Sequence, residues 1–303
     1  MRVLIVGCGY VGLPVGAELV RQGHEVFGLL RSTTRQAELQ GVGIKPLVAD
    51  ITNPADLAKL PAPFDWVVNC VSSTGGGAEE YRRVYLQGAR NLIEWLAAAP
   101  PQKFVYTSST SVYGQTDGAL VKETSPTEPP AETARVLVET EKVLLEAARQ
   151  KKFPAVILRV AGIYGPGRGY WFKQYLKNEV RIEGKGERIL NMIHRDDVAG
   201  IIIAALERGQ PGEIYNAVDD EPVTQFQFFR WLSEMLDKEM PPVELEPESA
   251  DHERGLTQRR ILNDKLRTEL RYELTYPTFR QGYAAEIHRL KRTGELKTEP
   301  DPE

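Results

Sequence analysis

Cysteine is almost absent: the 303 residues hold two, Cys8 and Cys70. Two scattered thiols exclude a disulfide framework and a cysteine-based metal site. We read both as small buried residues at strand ends. Also missing is any apolar run near the roughly 18–20 residues needed to span a bilayer. Met1-Arg2 leads at once into Val3-Leu4-Ile5-Val6, an apolar stretch too short for a signal-peptide core. The expectation is a cytoplasmic location with no membrane partner. Charge of one sign is lacking too. The 38 Lys and Arg against 42 Asp and Glu leave a formal charge of −4, spread along the chain without a basic cluster. That excludes nucleic acid as an expected partner.

Present instead is an alternation of short β-branched runs with longer amphipathic stretches, the pattern of a parallel sheet flanked by helices. Strands are expected at Arg2–Val6, 24–30, 44–47, 66–70, 103–107 and 155–159, with a further one at 213–216. Helical periodicity covers 13–22, closed by Gly23, then 85–99 before Pro100-Pro101, and 135–151. After Ile163 the texture changes at Tyr164-Gly165-Pro166-Gly167-Arg168-Gly169. The expected fold is therefore α/β, a doubly wound Rossmann sheet with a smaller C-terminal substrate lobe. Residues 1–163 form the cofactor domain and about 193–218 return to complete its sheet. Residues 164–192 and 219–294 form the mostly helical lobe, and 295–303 a flexible tail.

Between the first strand and first helix lies Gly7-Cys8-Gly9-Tyr10-Val11-Gly12. The first glycine permits a tight turn, the second lets backbone approach a pyrophosphate, and the third lets helix and strand pack closely. Phosphate charge then faces the unpaired N–H groups at the helix start. At the end of the second strand an NAD reader would carry Asp or Glu on the ribose 2′-OH. This chain has Arg31-Ser32-Thr33-Thr34-Arg35 there. A guanidinium with hydroxyl neighbours suits a 2′-phosphate, so NADP is expected over NAD; the alternative is a solvated strand-end arginine. Asp50 could accept from the adenine amino group or cap the next turn. Val71 and Ser72, at the carboxyl end of the fourth strand, are placed along the cofactor and the substrate.

Five ordered stretches resemble the extended short-chain dehydrogenase/reductase superfamily, the NAD(P)-dependent epimerase/dehydratase group. They are the glycine loop, Phe104–Gly114, Arg159–Arg168, Asn191–Ala199 and Ile214–Val218. The resemblance implies a nucleotide-sugar-type or other hydroxy or keto substrate. It also implies a catalytic hydroxyl at Ser109, with Ser108 the nearest alternative, and a homodimer through the helices at 85–99 and 135–151. In that family a Tyr four residues before a Lys is the acid/base, the cation lowering the phenol's pKa. No Tyr here has a Lys four residues later. Counting back from Glu141 puts Leu137 where Lys is expected and Thr133 where Tyr is expected, and Tyr85 replaces the family's helix Asn.

Other side chains nearby can stand in for the missing pair. Tyr113 follows Ser109 by four residues and is a catalytic candidate, with a packed phenol as the alternative. Tyr85, one turn from Tyr81, can reach the pocket, and Arg135 is the cation nearest the missing Lys, for ribose or phosphate. Arg168, with Tyr170 and Trp171, suits a flat anionic substrate group. Arg259-Arg260 could serve a diphosphate or be a solvated pair. Two functions stay open: an NADP-dependent oxidoreductase or epimerase acting on a small molecule, and a non-catalytic NADP(H)-binding regulator or scaffold.

Overall fold

Strand β1 (Arg2–Val6) is buried on both faces, Val3 and Ile5 toward one side, Leu4 and Val6 toward the other. A strand covered twice needs apolar residues at consecutive positions, which is why it reads as a continuous β-branched run. The computed structural model describes residues 1–73, 75–244 and 258–296. Around β1 gather β2 (Glu25–Leu30), β3 (Lys45–Val48), β4 (Trp66–Asn69), β5 (Lys103–Ser109), β6 (Ala155–Val160) and β7 (Ile214–Ala217). The sheet order is β3-β2-β1-β4-β5-β6-β7, parallel throughout. Register sets Val6 level with Leu29 and Asn69, so the strands empty onto one edge. The order reverses between β1 and β4, and a crevice opens at that switch point.

Helices Gly12–Arg21 and Arg195–Arg208 supply Val15, Leu19, Ile201 and Ile202 to one face of the sheet. The helices Gly88–Leu96 and Glu132–Lys151 supply Leu92, Leu96, Leu144 and Ala147 to the other. A separate aromatic cluster, with Tyr164, Phe172, Phe228, Phe279 and Tyr283, forms the core of the smaller C-terminal lobe.

The structure differs from the sequence expectation in four places. β5 runs on to Ser109 because Ser108 and Ser109 pair with Arg159 and Val160 of β6. The second long helix begins at Ala78, not Tyr85, and passes through the wider π-type turns Arg82–Gln87. Its charged first turns, Glu79, Glu80, Arg82 and Arg83, carry no apolar stripe to announce a helix. The expected single return at 193–216 is three pieces: Met192–His194 pairs with Gly162–Tyr164 outside the main sheet, a helix follows, and only β7 joins the sheet. Of the expected flexible tail, Glu295 bonds Arg289 and Thr293, and 297–303 lie outside the described residues. No described helix is long and apolar enough to cross a membrane.

Below the crevice, Arg159 and Glu141 form a buried ion pair at 2.7 Å. Glu141 also accepts from the Ser108 hydroxyl at 2.6 Å, and Arg159 donates to the Tyr113 hydroxyl at 2.9 Å. Breaking such a pair strands a buried charge. Glu141→Gln is expected to destabilise by about 3–5 kcal/mol, read as a lower urea midpoint at unchanged slope; an unshifted midpoint contradicts it. Asp219 is also buried, with Oδ2 lacking a partner among the described residues. Burial pushes its carboxyl well above the usual range. A carboxyl raised on folding is most stabilising while protonated, so its contribution falls as pH rises from about 4, the unfolded value. Asp219→Asn should therefore gain on wild type progressively between pH 5 and 8, and parallel pH–stability curves would contradict this.

Candidate functional site

The glycine loop starts where β1 ends, and its three glycines stand in three different environments. Gly7 has φ +88°, and a Cβ there would meet the Val71 backbone nitrogen at 2.7 Å. At Gly12 a Cβ would lie 2.5 Å from the Gly7 carbonyl oxygen, so helix and strand touch through bare backbone. Gly9 is different: its absent Cβ has nothing nearer than an Arg35 Nη1 at 3.8 Å. Two glycines are needed for packing, and one leaves space in front of the loop. The helix behind it has no side-chain cap and no acidic residue in its first turn, so its N–H groups and positive end are available to an anion. Cys8 and Cys70 are packed here, the Cys8 thiol pushed up to about 12 by burial. They are inert thiols rather than nucleophiles.

From the loop a cleft of about 630 Å³ runs along the strand ends. Gly7, Gly9, Tyr10, Val11, Arg31, Ser32, Arg35 and Asp50 line its first half. Arg31 is exposed at the end of β2. Arg35 pairs with Glu38 at 2.6 Å while its other edge faces Gly9. Ser32 is hydrogen-bonded to Thr34 at 3.2 Å. Asp50 accepts from the Thr52 N–H at 2.8 Å, the turn-capping role.

Val71, Ser72, Tyr81, Tyr85, Ser109 and Leu137 line the far half. The pairing of Ser108 with Glu141 removes that hydroxyl from the cleft chemistry. Ser109 points the other way, as neighbours on a strand do. Its Oγ accepts from the Ser111 N–H at 3.1 Å, which leaves its own proton for a ligand oxygen. The Tyr81 and Tyr85 rings lie tilted against each other with centroids 4.9 Å apart, and the Ser73 N–H donates to the Tyr85 hydroxyl at 3.1 Å. Burial, with the Tyr85 phenol beside it, raises the Tyr81 phenol above its ordinary value. Leu137 brings an apolar side chain where the resemblance implied a lysine, and no lysine is among the described residues lining the cleft.

Three sequence expectations need correction. Tyr113 lines neither cavity; it is buried, its hydroxyl donating to Asn216 Oδ1 at 2.7 Å and accepting from Arg159. Four residues from Ser109 is nearness along the chain, but the 3₁₀ turn Thr110–Val112 carries the ring into the core. Arg135 lies off the cleft, its guanidinium on the Pro129 and Pro130 carbonyls at 3.2 and 2.7 Å. Arg168 stands over the Tyr10 ring at 4.9 Å, on the glycine-loop side of the first cleft. Its neighbours Tyr170 and Trp171 line a second cavity instead.

That second cavity, about 330 Å³, meets the first at Ser109 and Ser111. Arg188 and Arg259 both line it. Arg259 was one of several possible anion contacts in the sequence; Arg188 was not, because a single arginine in a polar glycine-flanked stretch carries no signal.

A parallel sheet with a glycine loop and an uncapped helix at its switch point, and a second cavity meeting the first at a serine, defines an α/β protein of the dinucleotide-binding Rossmann class with a smaller C-terminal lobe. The profile of the NAD dependent epimerase/dehydratase family matches residues 3–217. The chain belongs to that family. Protein YeeZ of Escherichia coli K12 is 30% identical over 286 residues, covering 91% of this chain and 96% of that one. A 3-diazoavenalumate denitrifying reductase of Streptomyces is 26% identical, covering 94% of this chain and all of its own. The solved structure of a putative NAD-dependent epimerase/dehydratase from Methylobacillus flagellatus is 30% identical with TM-score 0.75, covering 96% of this chain and 98% of that one.

The glycines give a paired prediction. Gly12→Ala drives a methyl into backbone and should destabilise by about 1–3 kcal/mol. Gly9→Ala should leave stability within about 0.5 kcal/mol yet weaken nicotinamide-dinucleotide binding tenfold or more. Chemical denaturation with a fluorescence titration checks both, and equal effects of the two on stability would refute the division of roles.

Proposed function

We propose that the protein is an NADP(H)-dependent oxidoreductase acting on a hydroxy or keto substrate, with residues 1–163 and about 193–218 holding the dinucleotide and the smaller lobe holding the substrate. The observation that carries this reading is the continuous cleft from the glycine loop to Ser109. The residues fit the dinucleotide: open space at Gly9, an uncapped helix start, and Arg31 and Arg35 beside the place of the adenosine ribose. Two cations and no carboxylate at the end of β2 favour a 2′-phosphate. When bound, the nicotinamide supplies or takes up a hydride. Ser109 would donate a hydrogen bond to the reacting oxygen, and Val71 and Ser72, which line the same half of the cleft, would help hold the cofactor there.

Proton supply falls to the phenols of Tyr85 and Tyr81. The Tyr81 phenol, raised by burial, is protonated at neutral pH and can give its proton to the reacting oxygen. With Leu137 at the cleft and no lysine among the described residues that line it, no ammonium assists the proton transfer.

The same leucine favours one second reading, a protein that binds NADP(H) to regulate or scaffold without turnover. The experiment is single-turnover absorbance with bound NADPH against a panel of keto substrates. Stoichiometric loss of the reduced-nicotinamide signal is expected, and Ser109→Ala should slow it about tenfold to a hundredfold. Arg31→Ala should weaken NADPH about tenfold and leave NADH unchanged. NADPH that is bound tightly and never oxidised decides for the second reading.

A further inference from the structure

The second cavity is lined by two guanidiniums and, among the described residues, by no carboxylate. Arg259 is 8% exposed. Its Nη2 donates to the Thr110 carbonyl at 3.2 Å and its Nη1 to the Gln115 carbonyl at 3.5 Å, while Nε is buried without a partner. Arg188 leans on the Trp171 ring at 5.5 Å, and its Nε is likewise buried without a partner among the described residues. Burial without a counter-charge pulls the Arg259 guanidinium down. A buried and a half-buried guanidinium on one cavity, with no carboxylate among the described residues that line it, are a site completed by an anion.

We propose that this cavity holds the carboxylate of a compact oxo or hydroxy acid, its reacting oxygen reaching Ser109. The inference rests on the oxidoreductase reading above and names its substrate class. Three features favour one carboxylate over the diphosphate of a nucleotide sugar. First, Arg259 spends both terminal nitrogens on backbone carbonyls, which leaves Arg188 as the guanidinium with all its donors unused among the described residues, few for the many oxygens of a diphosphate. Second, Arg259 is fastened to the carbonyl of the residue next to Ser109. Anion and reacting oxygen are therefore close, as they are in a 3-oxo acid and as they are not with a sugar ring between them. Third, about 330 Å³ lies at the low end of the roughly 300–1,000 Å³ of ligand pockets. The other walls, among them Trp171, Leu190, Met192 and Tyr283, suit an alkyl or aryl substituent beside the acid. The Streptomyces relative, a reductase, is likewise named for a carboxylate.

Calorimetric titration of the NADP+-saturated protein, in which keto compounds cannot be reduced, with acetoacetate, methyl acetoacetate, inorganic phosphate and UDP-glucose tests the assignment. Acetoacetate should bind at least tenfold more tightly than its neutral ester and than phosphate or UDP-glucose. Arg188→Gln and Arg259→Gln should each remove most of that preference while NADPH affinity stays within twofold. Arg259 also ties two carbonyls, so its variant can fail to fold; Arg188→Gln, which breaks no recorded hydrogen bond, then carries the test. Equal binding of acid and ester, tighter binding of UDP-glucose or phosphate, or an unchanged preference in Arg188→Gln overturns the proposal. NADPH affinity, measured first and alone, reports separately on the cofactor reading beneath it.

Discussion

The buried pair of Arg159 and Glu141 is the interaction on which the rest of the site depends. A guanidinium and a carboxylate taken from water hold together only when each remaining donor and acceptor is satisfied. Here that demand recruits Ser108, Tyr113 and the Glu123 carbonyl. Tyr113 in turn bonds Asn216, on β7. One charge pair thus fastens β5, β6, β7 and the helix Glu132–Lys151 just below the strand ends. Because Ser108 is consumed, strand alternation presents Ser109 to the cleft.

Around this anchor the cations divide into two kinds. Arg159 is fully compensated and structural. Arg31, Arg168, Arg188 and Arg259 have no carboxylate partner among the described residues, and all line the two cavities. Arg35, paired with Glu38, keeps one edge toward Gly9. Guanidiniums without a carboxylate partner among the described residues thus stand at both ends of the joined cavities, with Leu137 and two phenols between. The Gly165–Gly169 loop brings the halves together: the Tyr10 hydroxyl donates to the Pro166 carbonyl at 3.2 Å, and Arg168 and Arg195 flank the Tyr10 ring. The phosphate loop is thereby held against the smaller lobe.

What proved legible in the sequence was whatever depends on neighbours along the chain. The strands showed as apolar runs because burial on both faces needs apolar side chains in succession. Gly7, Gly9 and Gly12 could be assigned separate duties because a turn, a gap and a close contact occur within one loop. The start of the second long helix was hidden because its first turns are charged, and a helix held by its later turns need not advertise itself earlier. Leu137, from its place in the helix, was already recognisable as the residue standing where a lysine was expected.

Orientation was a different matter. Ser108 and Ser109 are adjacent and chemically alike; what separates them is Glu141, 33 positions away. Tyr113 lies close to Ser109 in sequence, yet Asn216, 103 positions on, holds its hydroxyl in the core. Arg135 was drawn to its own preceding prolines, while Arg188 and Arg259 met at one cavity from separate parts of the chain. The sequence by itself determined the sheet, the glycine loop and the cationic character of the cleft beside the end of β2, since these follow from local periodicity, backbone freedom and charge. Only the tertiary structure decided which hydroxyl and which guanidiniums face a ligand, because a side chain's direction is set by the distant partner that satisfies it or by the absence of one.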